Sequence, residues 1–289
     1  VALPLPSSLS PSKVSTFKDC ALAFRFSAID RLPEPPSVPA TKGTTVHRAL
    51  ELLFLAPPDA RTPDRARACL EEALAEMATK EEYLALELSE DEAAGFAADA
   101  RRMVERYFTL EDPRTVRAVG LELMLSTRLG SLTVRGIIDR LEIDPEGEFV
   151  VTDYKTGRTP SPAQEQSRLG GVHFYALLCE RVLGRRPARI QLMYLGDQPQ
   201  VITTVPSEQS TRAVERKLAA VWAAVERACE HEDFRPRPSA LCDWCAFRAF
   251  CPAFGGDPSQ ARDLAAHFGP QRSLDLRPPL GAPRGPNGT

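Results

Sequence analysis

The chain has 289 residues, enough for one domain or two. At 43% hydrophobic and 26% charged it has the apolar side chains for a core. Its 36 basic residues against 39 acidic ones give a net charge of −3, which excludes a strongly basic coat for nucleic acid while leaving room for a local basic groove. No run of about 18 apolar residues exists. The start, Val1-Ala-Leu-Pro-Leu-Pro, has neither a basic n-region nor a long apolar h-region, so a cytoplasmic protein is expected. Seven cysteines without an export pattern point to metal-ligating thiolates rather than a disulfide framework.

Residues 1–10 and 31–40 are proline-rich and predict extended connectors. Between them Ser10 caps a helix that Pro11 opens, and Val14, Phe17, Cys20, Ala21 and Phe24 follow its period. Thr41-Lys-Gly-Thr-Thr-Val-His-Arg-Ala-Leu-Glu-Leu-Leu-Phe predicts a second helix, and Ala/Glu-rich stretches over 63–79 and 90–110 predict two more. Near residue 115 the period changes to two. Residues 116–127 predict a strand with Leu121, Leu123 and Leu125 on one face. A turn at Leu129-Gly130-Ser131 leads into a strand that begins Leu132, Val134, Gly136 and ends at Asp139. Phe149-Val-Val-Thr-Asp-Tyr-Lys, after a second turn, is apolar enough to be central. A helix over 163–183, strands over 190–195 and 201–205, and a long helix over 207–231 complete an α/β layer fold with a mixed central sheet flanked by helices. The chain has no G-x-x-x-x-G-K-[ST] loop, which argues against a motor ATPase.

The chemistry concentrates on two neighbouring strands. Asp139 lies in Gly136-Ile-Ile-Asp and Asp153 in Val150-Val-Thr-Asp-Tyr-Lys. An antiparallel pairing brings both to one end of the sheet, and Lys155 shares a face with Asp153 by the period of two. Two carboxylates and an ammonium suit a hard divalent cation such as Mg²⁺, which can lower the pKa of a water while a lysine stabilises developing charge. Asp139–Arg140 and Asp153–Lys155 could be surface ion pairs on a hairpin, the usual reading of an isolated D-x-K; here the D-x-K stands in an apolar strand whose partner also bears an Asp. Glu122 on the preceding strand faces either the same site or solvent. His47 lies mid-helix with Glu51 at i+4, which offers either a ligand pair or a hydrogen bond.

Cys242-Asp-Trp-Cys245 and Cys251 form C-x2-C-x5-C, and Cys20 is the candidate fourth ligand. Zinc and an iron–sulfur cluster both accept four thiolates, so local chemistry leaves both open. Cys69, Cys179 and Cys229 fall in helical patterns and predict core or surface positions.

Cys20, the G-T-T-V-H helix, the G-I-I-D…D-Y-K-T-G core and the C-x2-C-x5-C motif together resemble the RecB-type branch of the PD-(D/E)XK nuclease superfamily in its iron–sulfur form. That form is known from the AddB nuclease domain, the CRISPR-associated four-cysteine exonucleases and stand-alone bacterial RecB family exonucleases. The resemblance spans roughly residues 7 to 256 and implies a restriction-endonuclease-like core in a single nuclease domain over 1–256. Within it, 7–110 is a helical part, 115–232 the nuclease core and 238–254 the cysteine motif, with an irregular Pro/Gly-rich tail over 257–289. It implies Mg²⁺ or Mn²⁺ held by His47, Asp139, Asp153 and the carbonyl of Tyr154, and a catalytic Lys155. It also implies a 4Fe–4S cluster on Cys20, Cys242, Cys245 and Cys251 that staples the chain ends. The implied activity is a metal-dependent DNA nuclease on single strands or DNA ends, acting in repair or recombination, with a separate helicase as a candidate partner. The family's Q-x-x-x-Y is incomplete: Tyr175 is present, the Gln position falls on Gly171, and Gln166 lies one and a half turns upstream. Arg181, Arg185, Arg186 and Arg189, or Arg235, Arg237 and Arg248, are candidate DNA contacts or a solvated face, and Trp244 and Phe247 are candidate base-stacking rings or packing around the cluster.

Overall fold

The computed structural model describes residues 2–261, with 162–170 described by their backbone alone. Helix α1 (Pro11–Asp19) begins as expected, the Ser10 hydroxyl accepting the Lys13 N–H. The predicted helix does not run on through Cys20. That residue is extended (φ −158°, ψ 111°), closing α1 and opening α2 (Ala21–Phe24), after which the chain makes a π turn over Arg25–Ile29. Helix α3 (Val38–Leu55) starts earlier than its apolar period suggests. Ser37 accepts the Ala40 N–H, and Pro39 is tolerated in a first turn whose N–H groups have no helical partner anyway. The proline-rich connector therefore ends at Ser37.

Helices α4 (Pro63–Ala78), α5 (Glu81–Leu84) and α6 (Glu90–Tyr107) follow, the last opened by a capping box between Ser89 and Glu92. Val46, Leu50 and Leu53 of α3 pack with Leu70 of α4 and Val104 and Tyr107 of α6 in one apolar cluster.

Five strands form a single sheet in sequence order: β1 (Ala118–Leu129), β2 (Leu132–Ile143), β3 (Phe149–Lys155), β4 (Arg189–Tyr194) and β5 (Gln200–Thr204). All neighbours are antiparallel except β3 and β4, which are parallel and joined by the crossover helix α7 (Pro162–Leu183). Helix α8 (Glu208–His231) packs with α7 and α1 around a second cluster that includes Phe24, Phe26, Ile138, Val151, Leu178, Ile190, Leu218 and Val225. This is the mixed sheet flanked by helices that the sequence predicts. Among the described residues no helix is long and apolar enough to cross a membrane.

One irregularity of the sheet positions the site. β2 pairs with β1 along its length but with β3 only from Ile143↔Phe149 to Arg140↔Thr152. Before Arg140 the neighbour of β2 is instead Leu9, whose N–H donates to Thr133 O and whose carbonyl accepts from Arg135 N–H. β2 and β3 thus fork at Asp139, and β2 continues past it where the sequence motif suggests an end. The sidedness changes at the same point. Leu125, Val134 and Ile138 belong to the core under α7, whereas Arg140 lies against Phe54 and Tyr154 of the helical layer. Glu122, beside the switch on β1, has a left-handed backbone (φ 44°), a strain that a non-glycine residue rarely adopts.

After α8 the chain runs through short 3-10 turns at Ala240–Trp244, Arg248–Phe250 and Pro252–Phe254. These lie on the N-terminal segment: Phe26 meets Phe247 and Phe250 at ring-centroid distances of 5.5 and 6.2 Å, and Arg237 donates to Lys18 O. Residues 258–261 are helical, and the rest of the expected irregular tail lies outside the described residues.

Candidate active site

Five elements meet at the fork. His47 comes from α3, Glu122 from β1, Asp139 from β2, Asp153 and Lys155 from β3, and Tyr175 from α7. Gly43 lets α3 approach: a Cβ there would stand 3.0 Å from Thr156 Oγ1, at the end of β3. Because β3 alternates, Asp153 and Lys155 share one face while Tyr154 enters the helical layer between them.

His47 Nε2 lies 3.0 Å from the Tyr154 carbonyl oxygen, and its Nδ1 lies 3.5 Å from Asp139 Oδ2 and 4.0 Å from Glu122 Oε1. Donor atoms of His47, Glu122 and Asp139 fall within 4.8 Å of one another. The imidazole therefore sits between a carbonyl and two carboxylates, an arrangement that calls for an added positive charge. Nε2 is hydrogen-bonded to the Tyr154 carbonyl, which leaves Nδ1 as the nitrogen turned to the two carboxylates. The donor set, one imidazole with hard oxygens, fits a divalent cation. The structure thus brings Glu122 into the donor group. Asp153, 3% exposed, stands slightly apart: Tyr175 Oη donates to its Oδ1 at 3.2 Å and the Lys155 ammonium contacts its Oδ2. Glu51 does not act as a second ligand beside His47; Arg48 donates to it at 2.8 Å.

Burial pushes the Asp139 carboxyl up to about 6; His47 opposes the rise and Asp153 adds to it. Burial works against the charged form of Lys155, but the adjacent Asp153 carboxylate outweighs it, and the ammonium is held above its ordinary value. Burial, then the charges of Asp153 and Asp139, raise the Tyr175 hydroxyl, so it stays a donor.

Sequence reasoning missed what lies beneath. Arg140, read there only as the possible surface partner of Asp139, is fully buried. It donates to Tyr154 Oη at 2.9 Å and Thr152 Oγ1 at 3.1 Å, pairs with Glu111 and with Glu142 at 2.7 Å, and stacks 4.5 Å over the Phe54 ring. The signal was available: Arg140 and Glu142 stand two apart in an apolar strand, the same spacing as Asp153 and Lys155. Gly171 is exposed, and a Cβ on it would meet nothing within 4 Å; the Gln166 side chain lies outside the described residues.

Cys20, Cys242, Cys245 and Cys251 are free and partly exposed, and all four line one cleft of about 590 Å³. Burial raises the Cys245 thiol, and the other three cysteines add to the rise, which places their charges near it. Ser239 N–H donates to Cys242 Sγ. Phe247 is buried against Phe26, leaving Trp244, 89% exposed, as the open ring of the pair. The two candidate arginine clusters carry partners within the protein itself. Arg181, Arg185, Arg186 and Arg189 pair with Glu215, Glu148, Glu180 and Asp144, Arg235 and Arg248 pair with Asp233 and Asp243, and Arg237 bonds to Lys18 O.

Comparison with known proteins places the fold and the family. The fold is similar to the crystal structure of a candidate exonuclease from Eubacterium rectale, with a TM-score of 0.52 at 12% identity over 83% of this chain and 87% of that one. The structure of SSO0001 overlaps at a TM-score of 0.36 and 14% identity over 84% and 95%, too loosely to add to the argument. No curated protein matches the chain. A family model described as the PD-(D/E)XK nuclease superfamily matches residues 8–252, which include His47, the fork and the three clustered C-terminal cysteines. The chain belongs to the PD-(D/E)XK nuclease superfamily, whose members are phosphodiester hydrolases that use divalent metals.

Proposed function

We propose that this protein is a Mg²⁺- or Mn²⁺-dependent deoxyribonuclease of the RecB-type iron–sulfur branch, an exonuclease on single-stranded DNA or DNA ends that serves repair or recombination in the cytoplasm. The observation that supports it most is the convergence of His47, Glu122 and Asp139 at the fork, with Asp153 and Lys155 on the adjoining strand. His47, Asp139, Asp153 and the Tyr154 carbonyl would hold the cation, with Glu122 in reach. When bound, it supplies positive charge at a phosphoryl oxygen and acidifies water. The protein's own residues do the rest. Lys155 orients the attacking water and balances charge developing on the phosphoryl group. Tyr175 fixes the Asp153 carboxylate by its hydrogen bond. Arg140 fixes Tyr154, and with it the carbonyl facing His47.

The four cysteines are assigned to a 4Fe–4S cluster that staples α1–α2 to the C-terminal turns, within one nuclease domain over 1–256. What supports a shared centre is that all four free cysteines line one cleft between the N-terminal segment and the C-terminal turns. Four thiolates suit a soft metal centre, an iron–sulfur cluster or zinc alike. Purified protein is expected to be brown and to contain iron and labile sulfide; a colourless protein with stoichiometric zinc rejects this assignment.

A second reading, a DNA-binding iron–sulfur scaffold beside a helicase with weak or no nuclease activity, has Gly171 behind it, since the open space there lacks the family's Gln. Labelled single-stranded DNA with Mn²⁺ separates the two. Cleavage that disappears in Asp153→Ala supports the nuclease, and tight binding without cleavage in any divalent metal supports the scaffold.

A further inference from the structure

A second cleft, of about 520 Å³, opens beyond the C-terminal ends of β3 and β4. One wall is α6, with Arg102 and Arg106; another is Lys42 of α3, five residues before His47; the floor is the loop after β3, which starts at Thr156 and bears Arg158, and the loop after β4 with Asp197. The cleft is therefore continuous along the chain with Lys155 on one side and His47 on the other. Four cations line it against two carboxylates, Asp99 and Asp197, in a protein whose net charge is negative. Asp99 is shared by Lys42, at 2.8 Å, and Arg102, and Asp197 binds Arg106 at 3.0 Å. Arg158 and Arg102 are exposed. The cleft is polar, and Thr156 on its floor follows Lys155 directly.

We infer that this cleft is the track for the phosphates of a single DNA strand next to the one being cleaved, with Lys42, Arg102, Arg106 and Arg158 as its contacts. The inference rests on the nuclease reading above and names where the substrate lies. The cleft has a helix on one side and two loops on the other, a concave shape that suits a single backbone lying along it. The positive excess supplies the counterion-releasing contacts that dominate nucleic-acid affinity. Asp197, almost wholly exposed and tied only to Arg106 among its printed partners, stands where it opposes an incoming phosphate.

The test measures binding of a labelled oligothymidylate in Ca²⁺ across a salt series, alongside hydrolysis of single-stranded DNA and of the small diester bis(p-nitrophenyl) phosphate in Mn²⁺. Arg102→Ala/Arg158→Ala is expected to weaken strand binding about tenfold and to flatten the log K against log [salt] slope by about 1.4, that is about 0.7 for each lost phosphate contact. It should raise KM for DNA while leaving kcat and small-diester hydrolysis near wild type. Asp197→Asn should tighten binding, a direction that misfolding does not produce. Arg181→Ala/Arg185→Ala is the control and should change neither slope nor KM. Unchanged slopes in the cleft variants, an equal loss in the control, or an equal loss for a duplex of the same length would overturn the strand track. If the wild type hydrolyses no phosphodiester in any metal, the nuclease reading fails, and the binding series still decides the track by itself.

Discussion

Asp139 Oδ2 accepts the Tyr154 N–H at 2.7 Å, one residue past Arg140 and two past Thr152, the last β2–β3 pair. The carboxylate thus satisfies a backbone donor that the fork leaves without a partner strand, and a buried unpaired N–H would cost about 1–3 kcal/mol. One side chain both closes the sheet and faces His47.

That double role predicts a pH effect in the metal-free protein. An unfolded Asp titrates near 3.9, and in the fold burial first, then Asp153, lift Asp139 to about 6. Between those values the folded state holds the extra proton. The group therefore favours folding fully below about pH 4, and that contribution is lost as pH rises through 6. The loss amounts to at most roughly 3 kcal/mol, shared with its coupled neighbours. Asp139→Asn keeps an acceptor for Tyr154 and removes the charge. It is expected to raise the Tm of chelator-treated protein at pH 7.5 by several degrees, at about 2–4 °C per kcal/mol, and to flatten the Tm profile between pH 5 and 7. It should also abolish the Tm increase that Mn²⁺ gives the wild type. A lower Tm for the variant at pH 7.5 would count against the burial argument.

Tyr175→Phe removes the hydroxyl that donates to Asp153 Oδ1. A hydrogen bond to a charged group contributes about 1.5–3 kcal/mol, so cleavage of DNA should fall by about 10- to 100-fold. The ring remains packed beside α7's core residues, so the unfolding midpoint should move little. An activity within twofold of wild type would show that Lys155 alone fixes the carboxylate.

Periodicity made most of the fold legible. The turns at Gly130 and after Asp144, the apolar run of β3 and the Ser-capped helices all carry local signals. The spacing of Asp153 and Lys155 placed them on one face, and the structure keeps them there. What the sequence hid arises from long-range geometry. Nothing local announces that Leu9 inserts beside β2, that β2 and β3 part at Asp139, or that the face of the hairpin switches there. Arg140 looked like a surface residue because no pattern of period two says which side of a strand has a helical layer above it. Cys20 followed a helical period, yet its backbone breaks the helix.

Arg140 gives the next prediction. Its fully buried guanidinium compensates Glu142, 6% exposed, whose carboxyl burial pushes upward. Arg140→Met should cost about 3–5 kcal/mol in urea unfolding, because a buried carboxylate is left without its cation. Arg140→Met/Glu142→Leu should recover part of that loss, since apolar residues replace one buried ion pair at little net cost while Glu111 keeps only the Tyr107 hydroxyl of its named partners. Hydrolysis should stay low in both variants, because neither restores the donor to Tyr154 Oη. Recovery of activity together with stability would show that Tyr154 needs no such anchor.

The last prediction concerns the cysteine lobe. The Gly256 N–H donates to Cys251 O, closing the loop that carries the final cysteine. A Cβ on Gly256 would stand 2.2 Å from Ala249 O and 2.7 Å from Cys251 N, both backbone atoms that no rotamer change can move aside. Gly256→Ala must therefore displace the backbone of Ala249–Cys251, the segment that carries the last of the four cysteines. If those four thiolates share a cluster, binding energy doubles as folding energy, and the variant should purify with depleted iron and a lowered Tm. Gly255→Ala, one position earlier, strains a left-handed backbone (φ 81°) without a steric clash. It should cost about 1 kcal/mol and leave the iron content near wild type. Equal iron in the wild type and in Gly256→Ala would separate the loop's geometry from metal retention and remove the cysteine lobe from the folding argument.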